Sequence, residues 1–430
     1  LDIEAHLSNA AKAERAFAWQ QAWGFYEAAA ALAPSDHRIL ANQGNVAWLA
    51  GQSHAARTAY RRALLLAPRC PISLRGLGNA LRDLGTFEAA DRAYSESRQL
   101  DPDPLTAWNH SQVLIGLGRY QEAYAAAERR LDIAGQPVYR SGPCWDGAIA
   151  SLIQTDGPLH IWSEQGLGDT LQYGRWIPRL ISSLPPEAPT PLVEVEPSLV
   201  RLLERGLSWL PRAPQVLAKA EITPPACAGP HVSLLSLPHH LGGAPHPGEP
   251  SKQPYLRDPT WIRWRHGPAG RIGVVWAAGR KLEDPFQARE YQQRSLPPAA
   301  LEQLLVRLRQ RGYGVVNLQV GPDRDPPAAI NALFQEALPA TMDFADTAEF
   351  VAELDRVITV DTAMAHLLGA LGHPGWVLLP LAADPRWHRH TDRCPWYANL
   401  RLFRQPVAGD WTSVIEAVLA ALDAEPAGAL

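Results

Sequence analysis

Cysteine is scarce in this chain, and the four present, Cys70, Cys144, Cys227 and Cys394, lie far apart with no CxxC pair among them. That spacing argues against a structural zinc site and against a disulfide framework, and it fits a reducing compartment. Neither sign of charge dominates: 40 basic and 44 acidic residues leave a net charge of −4. No general affinity for nucleic acid or acidic membrane follows from that balance. The visible start has no basic, apolar leader. It begins at Leu1 and not at methionine, so a trimmed or incomplete N-terminus is expected. Long apolar runs are missing too. The nearest approach to a membrane span, residues 363–383, is interrupted by His366, His373, Pro374 and Pro380. It reads as a buried helix, a Gly-His-Pro break and a buried strand over 376–379. Gly166-Leu167-Gly168 lacks the third glycine of a dinucleotide fingerprint, and there is no GxxxxGK[ST], HExxH or GxSxG.

What is present is a soluble globular composition, with 46% hydrophobic and 20% charged residues, over 430 residues. That length predicts about three domains. The first third is periodic. Pro34, Pro68 and Pro102 recur at 34-residue intervals, as do Ala22, Ala56 and Ala90, and Tyr26, Tyr60 and Tyr94. Leu40, Leu74 and Trp108 keep the same interval, and the pairs Gly44/Gly78 and Gly51/Gly85 repeat once. Leu117-Gly118-Arg119-Tyr120 repeats Leu84-Gly85-Thr86-Phe87 after 33 residues, so a fourth unit has lost one residue. This pattern resembles the tetratricopeptide repeat, whose unit is two antiparallel helices. Small residues let paired helices approach, tyrosine fills the gap to the next unit, and proline ends each second helix. Such arrays present a concave face to peptides or partner proteins; buttressing of the next domain is the plainer role.

After residue 147 the rhythm is lost and strands alternate with helices, which predicts parallel sheets. Strands are expected over 159–163 and 191–195 and near Val216 and Val232. Helical patterns are expected through Leu171, Trp176, Ile177 and Leu180 and over 197–205. A fresh unit opens with a buried strand over 271–276, then a basic loop over 277–295. Helix 298–311, strand 314–319, and helices near 328–337 and 347–354 follow. The chain closes with strand 376–379, a basic loop over 384–393, a strand near 400–403 and a helix over 411–422.

Two turns stand out. In residues 357–366, VITVDTAMAH, a β-branched strand stops at Asp361 and a helix begins at Thr362. Such a turn aims free N–H groups and the positive end of a helix dipole outward, where a phosphate can sit. His366 lies on the same side of that first turn as Thr362. In Glu164-Gln165-Gly166-Leu167-Gly168-Asp169-Thr170, a carboxylate sits where a strand feeds a helix, and two glycines leave room beside it. The plainer readings are that Asp361 caps its helix, that His366 is a satisfied polar residue, and that Asp169 complements a helix dipole.

Five segments carry a further resemblance: EQGLGDTLQYGRWIP (164–178), IGVVWAAG (272–279), RSLP (294–297), VDTAMAHLLGALGHP (360–374) and PWYANLRLFRQPVAGDW (395–411). Together with the repeats they make the chain similar to bacterial tetratricopeptide-repeat proteins carrying a glycosyltransferase domain like the lipopolysaccharide heptosyltransferases (family 9). The resemblance implies an all-α repeat array followed by an α/β GT-B fold of two facing Rossmann-like domains. It implies an array over 1–140, an acceptor-side domain over 141–267 and a nucleotide-sugar domain over 268–430, whose last helix is free to pack back on the domain before it. It implies a bacterial cytoplasmic, metal-independent enzyme without cofactor, with a peripheral place at the inner membrane left open. The donor is a nucleotide-diphosphate sugar and the acceptor a glycan, lipid or protein. Carried over by motif, Asp169 is the general base, and Asp361, Thr362 and His366 cradle the diphosphate. The chain departs from the pattern at Val320, where a basic residue is expected, and at Ala278-Gly279 in place of Gly-Asn.

Sugar transfer needs a carboxylate to take the acceptor's proton, and preorganised donors for the charge building on the diphosphate. Glu164 is the rival base. Gln165, Gly166, Gly168 and Thr170 are the acceptor-side candidates. The diphosphate-side candidates are Trp276, Arg280, Lys281, Arg294, Ser295, Asp361, Thr362, Ala363 and His366. Arg386, His388, Arg389, His390 and Arg393, flanked by Trp387 and Trp396, form another basic run that reads equally as a solvated loop. The alternative from another class is a binding scaffold whose transferase fold has lost activity; a sugar-nucleotide epimerase is a weaker third.

Overall fold

In the computed structural model, which describes residues 2–133, 142–153, 155, 157–219, 229–243, 254–261, 270–340 and 342–424, helices follow one another at the repeat interval. They are α1 (Ile3–Arg15), α2 (Trp19–Leu32), α3 (His37–Leu49), α4 (Ser53–Leu66), α5 (Pro71–Asp83), α6 (Phe87–Leu100), α7 (Pro104–Gly116) and α8 (Tyr120–Ala127). The aspartates Asp2, Asp36 and Asp103 cap α1, α3 and α7 by accepting backbone N–H bonds. Pro71 and Pro104 occupy first-turn positions, where a missing N–H costs nothing. The turn inside each unit needs a left-handed residue. Gly51, Gly85 and Gly118 supply it at φ +76°, +69° and +73°. One interval earlier the same place is held by Phe17 at φ +56°, whose ring stacks on Trp19.

The repeating tyrosines fill inter-helix gaps, as the periodicity predicts. Tyr60 and Tyr94 are fully buried. The Tyr60 ring lies between Gly44 of its own unit and Gly76 of the next, and Tyr94 packs on Gly78. A methyl group at Gly44 would stand 2.9 Å from the Tyr60 ring, and one at Gly76 closer still. Gly76→Ala is therefore expected to cost about 1–3 kcal/mol by overpacking, read as a lowered midpoint in urea unfolding. An unchanged midpoint would mean that the ring can move aside.

The chain separates into two compact units. The first joins residues 1–136 to two later segments, 280–293 and 380–390. Much of the expected basic loop over 277–295 is a helix, Pro285–Arg294. Its Arg289 is buried and pairs with Asp83 of α5, which also accepts a 2.7 Å bond from the Trp48 indole. Phe286 stacks on Trp48 and the Arg289 guanidinium lies 4.6 Å from that ring's centre. The basic run over 384–390 is likewise not a free solvated loop. Its Trp387 is buried, His388 bonds the Tyr120 hydroxyl at 2.9 Å, and Arg389 packs on Gly85.

The second unit joins 137–279, 294–379 and 391–430. Among the described residues it holds two sheets, both wholly parallel. The first has the order β3-β2-β1-β4, from β1 (His160–Trp162), β2 (Leu192–Val195), β3 (Gln215–Ala218) and β4 (His231–Ser233). The second has the order β10-β9-β8-β5-β6-β7. Its strands are β5 (Arg271–Val275), β6 (Gly314–Asn317), β7 (Glu336–Ala337), β8 (Arg356–Val360), β9 (Gly375–Leu379) and β10 (Leu400–Arg404). Strands β8 and β9 are buried along their whole length, as strands covered on both faces must be. The expected helix near 328–337 shrinks to Ala328–Asn331, because Glu336 and Ala337 pair with β6 as an edge strand. The helical pattern after Asp169 is two helices, Leu167–Tyr173 and Trp176–Ser183. The last helix, Trp411–Ala424, packs on helix Pro298–Gln310, where Arg307 pairs with Glu416 at 3.0 Å. Among the described residues no helix is long and apolar enough to cross a membrane.

Candidate functional site

Both singled-out turns lie at carboxyl ends of parallel strands, where open α/β sheets bind ligands. Strand β1 runs through Ser163 into helix Leu167–Tyr173, and β8 runs through Asp361 into helix Ala363–Leu371. Within the second unit the two turns touch. A methyl group at Gly168 would stand 3.0 Å from the His366 ring and 3.5 Å from the Ala363 Cα. Only glycine at 168 permits that approach without displacing the imidazole. Asp169, the next residue, is half-buried and accepts a 3.3 Å bond from the Gly166 N–H.

On the facing turn the cap is Thr362, not Asp361. The Thr362 hydroxyl accepts from the Met364 N–H at 3.2 Å and lies 3.1 Å from the Thr359 hydroxyl. Asp361 is buried and engages Arg294, whose guanidinium donates to the Asp361 carbonyl and lies 3.5 Å from its carboxylate. Arg294 thus braces this turn. Helix Ala363–Leu371 opens with backbone N–H groups in its first turn, and Ala363 is half-buried there. His366 is buried. Its Nδ1 is 3.0 Å from the Tyr397 hydroxyl, while its Cδ2 edge, beside Nε2, faces Gly168.

Other candidates are placed differently. Thr170 is buried and bonds Glu196 at 3.3 Å, so its hydroxyl points into the body and supports the turn from behind. Glu164 is held by the Ser233 hydroxyl. Gln165 is half-buried and Gly166 exposed on the same turn. Ser295 accepts from the Ala278 N–H at 3.1 Å. Trp276 is buried and stacked on Phe334, and its backbone N–H and that of Ala277 both donate to the Gln319 side-chain Oε1. These groups shape the loop after β5. Val320 is 57% exposed. Arg280 and Lys281 are exposed and belong to the first unit, where Arg280 lies 5.9 Å from the Tyr291 ring centre. Arg386, His388, Arg389 and His390 are in that unit too, whereas Arg393 belongs to the second. Trp396, like Trp387, is core.

Two residues of this site escaped the sequence reading. Tyr397 is buried, bonds His366 and lies against Gly369 of the same helix. Arg175 holds its guanidinium carbon 4.6 Å from the Tyr397 ring centre, 5.6 Å from that of Trp396 and 5.9 Å from that of Tyr255. Arg175 lies in the glycine-aspartate motif itself, which was the available signal; its aromatic neighbours come from distant parts of the chain.

Comparison with known proteins gives four findings. Residues 37–70 match the family profile of the tetratricopeptide repeat. Protein FlbA of Caulobacter vibrioides is 25% identical over 412 residues, which cover 88% of this chain and 66% of FlbA, just under two thirds of that relative's length. Among solved structures, MamA aligns with a TM-score of 0.29 at 18% identity, over 30% of this chain and 77% of that one. An O-GlcNAc transferase mutant from Thermobaculum terrenum aligns with a TM-score of 0.31 at 14% identity, over 97% of this chain and 89% of that one. The chain therefore carries tetratricopeptide repeats, with parallel-sheet α/β regions after them.

Proposed function

We propose that this protein is an inverting glycosyltransferase of the GT-B kind, its two Rossmann-like domains being 141–267 and 268–430. It moves a sugar from a nucleotide-diphosphate donor to an acceptor hydroxyl, without a metal. The observation that carries the reading is the contact of Gly168 with His366 and Ala363. Gly168 directly precedes the half-buried Asp169, the residues it meets belong to the start of a nine-residue helix, and both turns lie at strand carboxyl ends. In this reading Asp169 takes the proton as the acceptor oxygen attacks the anomeric carbon. The bond to the diphosphate breaks, its electron pair stays on the phosphate oxygen, and the sugar inverts. The opening N–H groups of helix Ala363–Leu371 and the His366 imidazole stabilise the departing charge. Thr362 and Arg294 hold that turn in shape. The repeat array recruits a protein partner or the acceptor, which is a glycan, lipid or protein.

Hydrolysis of nucleotide sugars across a donor panel tests this, with Asp169→Ala as the control. Turnover of at least one donor by the wild type and its loss in the variant is the expected outcome. A wild type that neither binds nor hydrolyses any donor would favour the second reading, an inactive scaffold. One feature already speaks for that reading: exposed, apolar Val320 stands where a phosphate-side cation is expected.

A further inference from the structure

Among the described residues no anion pairs with Arg175, a half-buried arginine. Its Nε is shut off from solvent with no hydrogen-bond partner. The guanidinium rests instead among three aromatic rings, Tyr255, Trp396 and Tyr397. Three other deep arginines are neutralised, Arg289 and Arg82 by Asp83 and Arg130 by Glu128, whereas the buried Arg356 rests on the Trp376 ring. Two acids near Arg175, Tyr255 and Cys394, are held toward their protonated forms. Burial pushes the Tyr255 phenol well above its ordinary range and the Cys394 thiol up to about 12. Ring faces attract a guanidinium, but they supply no net charge, and a desolvated cation without a counter-charge is costly. The Nη groups are not among the sequestered unpartnered atoms. The guanidinium carbon lies 4.6 Å from the ring centre of Tyr397, the residue that holds His366.

We infer that Arg175 is the cation of an oxyanion subsite beside His366, and that its planar fork takes the diphosphate of the donor. A guanidinium fork matches paired phosphate oxygens. Lysine, a point charge on a flexible stem, keeps the sign and loses the fork. The inference rests on the transferase reading for the identity of the anion, but the subsite can be tested apart from catalysis.

The test is a calorimetric titration of the full chain with inorganic pyrophosphate, which needs no knowledge of the nucleotide base. Wild type is expected to bind saturably, Arg175→Met to bind at least about tenfold more weakly, and Arg175→Lys to fall between them. Melting temperatures are measured alongside. If Arg175→Met melts early, Arg175→Lys and Arg175→Gln carry the comparison. Arg175→Met binding pyrophosphate as tightly as wild type would overturn the subsite. So would a wild type with no binding at about 10 mM. The donor panel separates this from the parent reading. Turnover together with Arg175-independent pyrophosphate binding removes the subsite and keeps the transferase. Arg175-dependent binding without turnover of any donor keeps the subsite and removes the transferase.

Discussion

Asp169→Asn is expected to lower the rate of sugar transfer by about 10²–10⁴-fold, the range that a positioned general base contributes. Asparagine keeps a side-chain oxygen to accept the Gly166 N–H and keeps the size of the group, so the helix start should survive. It cannot take a proton from an alcohol. The defect should therefore fall on turnover, with donor affinity near wild type, because the donor's diphosphate is assigned to the facing turn. Steady-state kinetics with a calorimetric donor titration would read both. Full activity in Asp169→Asn would move the base to Glu164. That carboxylate is already committed to the Ser233 hydroxyl, and Glu164→Gln would then be the variant that loses activity.

The largest expected effect on stability is at Asp83, far along the chain from those turns. Asp83→Ala is expected to destabilise the first unit by about 3–5 kcal/mol, because removing one member of a buried pair strands the other charge. Here it strands two, since Arg82 and Arg289 both lean on the same carboxylate and only small parts of them reach solvent. The Trp48 indole N–H would lose its acceptor as well. Urea unfolding followed by tryptophan fluorescence reads the loss. Replacing Asp83 and Arg289 together by leucine should recover part of it, since an apolar pair of similar volume leaves less charge uncompensated. A single variant as stable as wild type would mean that water reaches the arginines. The same carboxylate makes the unit acid-sensitive. Burial works to raise its pKa, but Arg289 and Arg82 overcome that and hold it below the ordinary value. The unfolded chain then binds the proton first. The contribution is complete above roughly pH 4 and is lost as the pH falls further.

How much of this was legible depended on whether a signal was local. The repeats were readable because each unit restates the same local demands: a left-handed glycine at Gly51, Gly85 and Gly118, and a gap-filling tyrosine at Tyr60 and Tyr94. The buried strands β5 and β8 were readable as apolar, β-branched runs, and β9 as an apolar one. Helix Pro285–Arg294 was not, since its residues are polar on most sides and the partners of Phe286 and Arg289 lie far back in the chain, on α3 and α5. Strand β7 was missed because two exposed residues carry no alternation; pairing with β6 alone makes them a strand. Asp361 looked like the cap because it precedes the helix. Thr362 caps it instead, as Asp361 is drawn to Arg294, a pairing across the fold that local pattern cannot report. Arg175 lay in plain view within a recognised motif, but what makes it unusual is the cage, and that is built from Tyr255, Trp396 and Tyr397 far downstream.

The helical array is stitched from three stretches of chain, not one: its first 136 residues, 280–293 and 380–390. A truncation at residue 136 would therefore not liberate a self-sufficient module. It would bare Asp83 without Arg289, and Gly85 and Tyr120 without the segment that covers them. Anyone wishing to graft this array onto another enzyme would have to transplant three pieces, two of them borrowed from the heart of the α/β sequence.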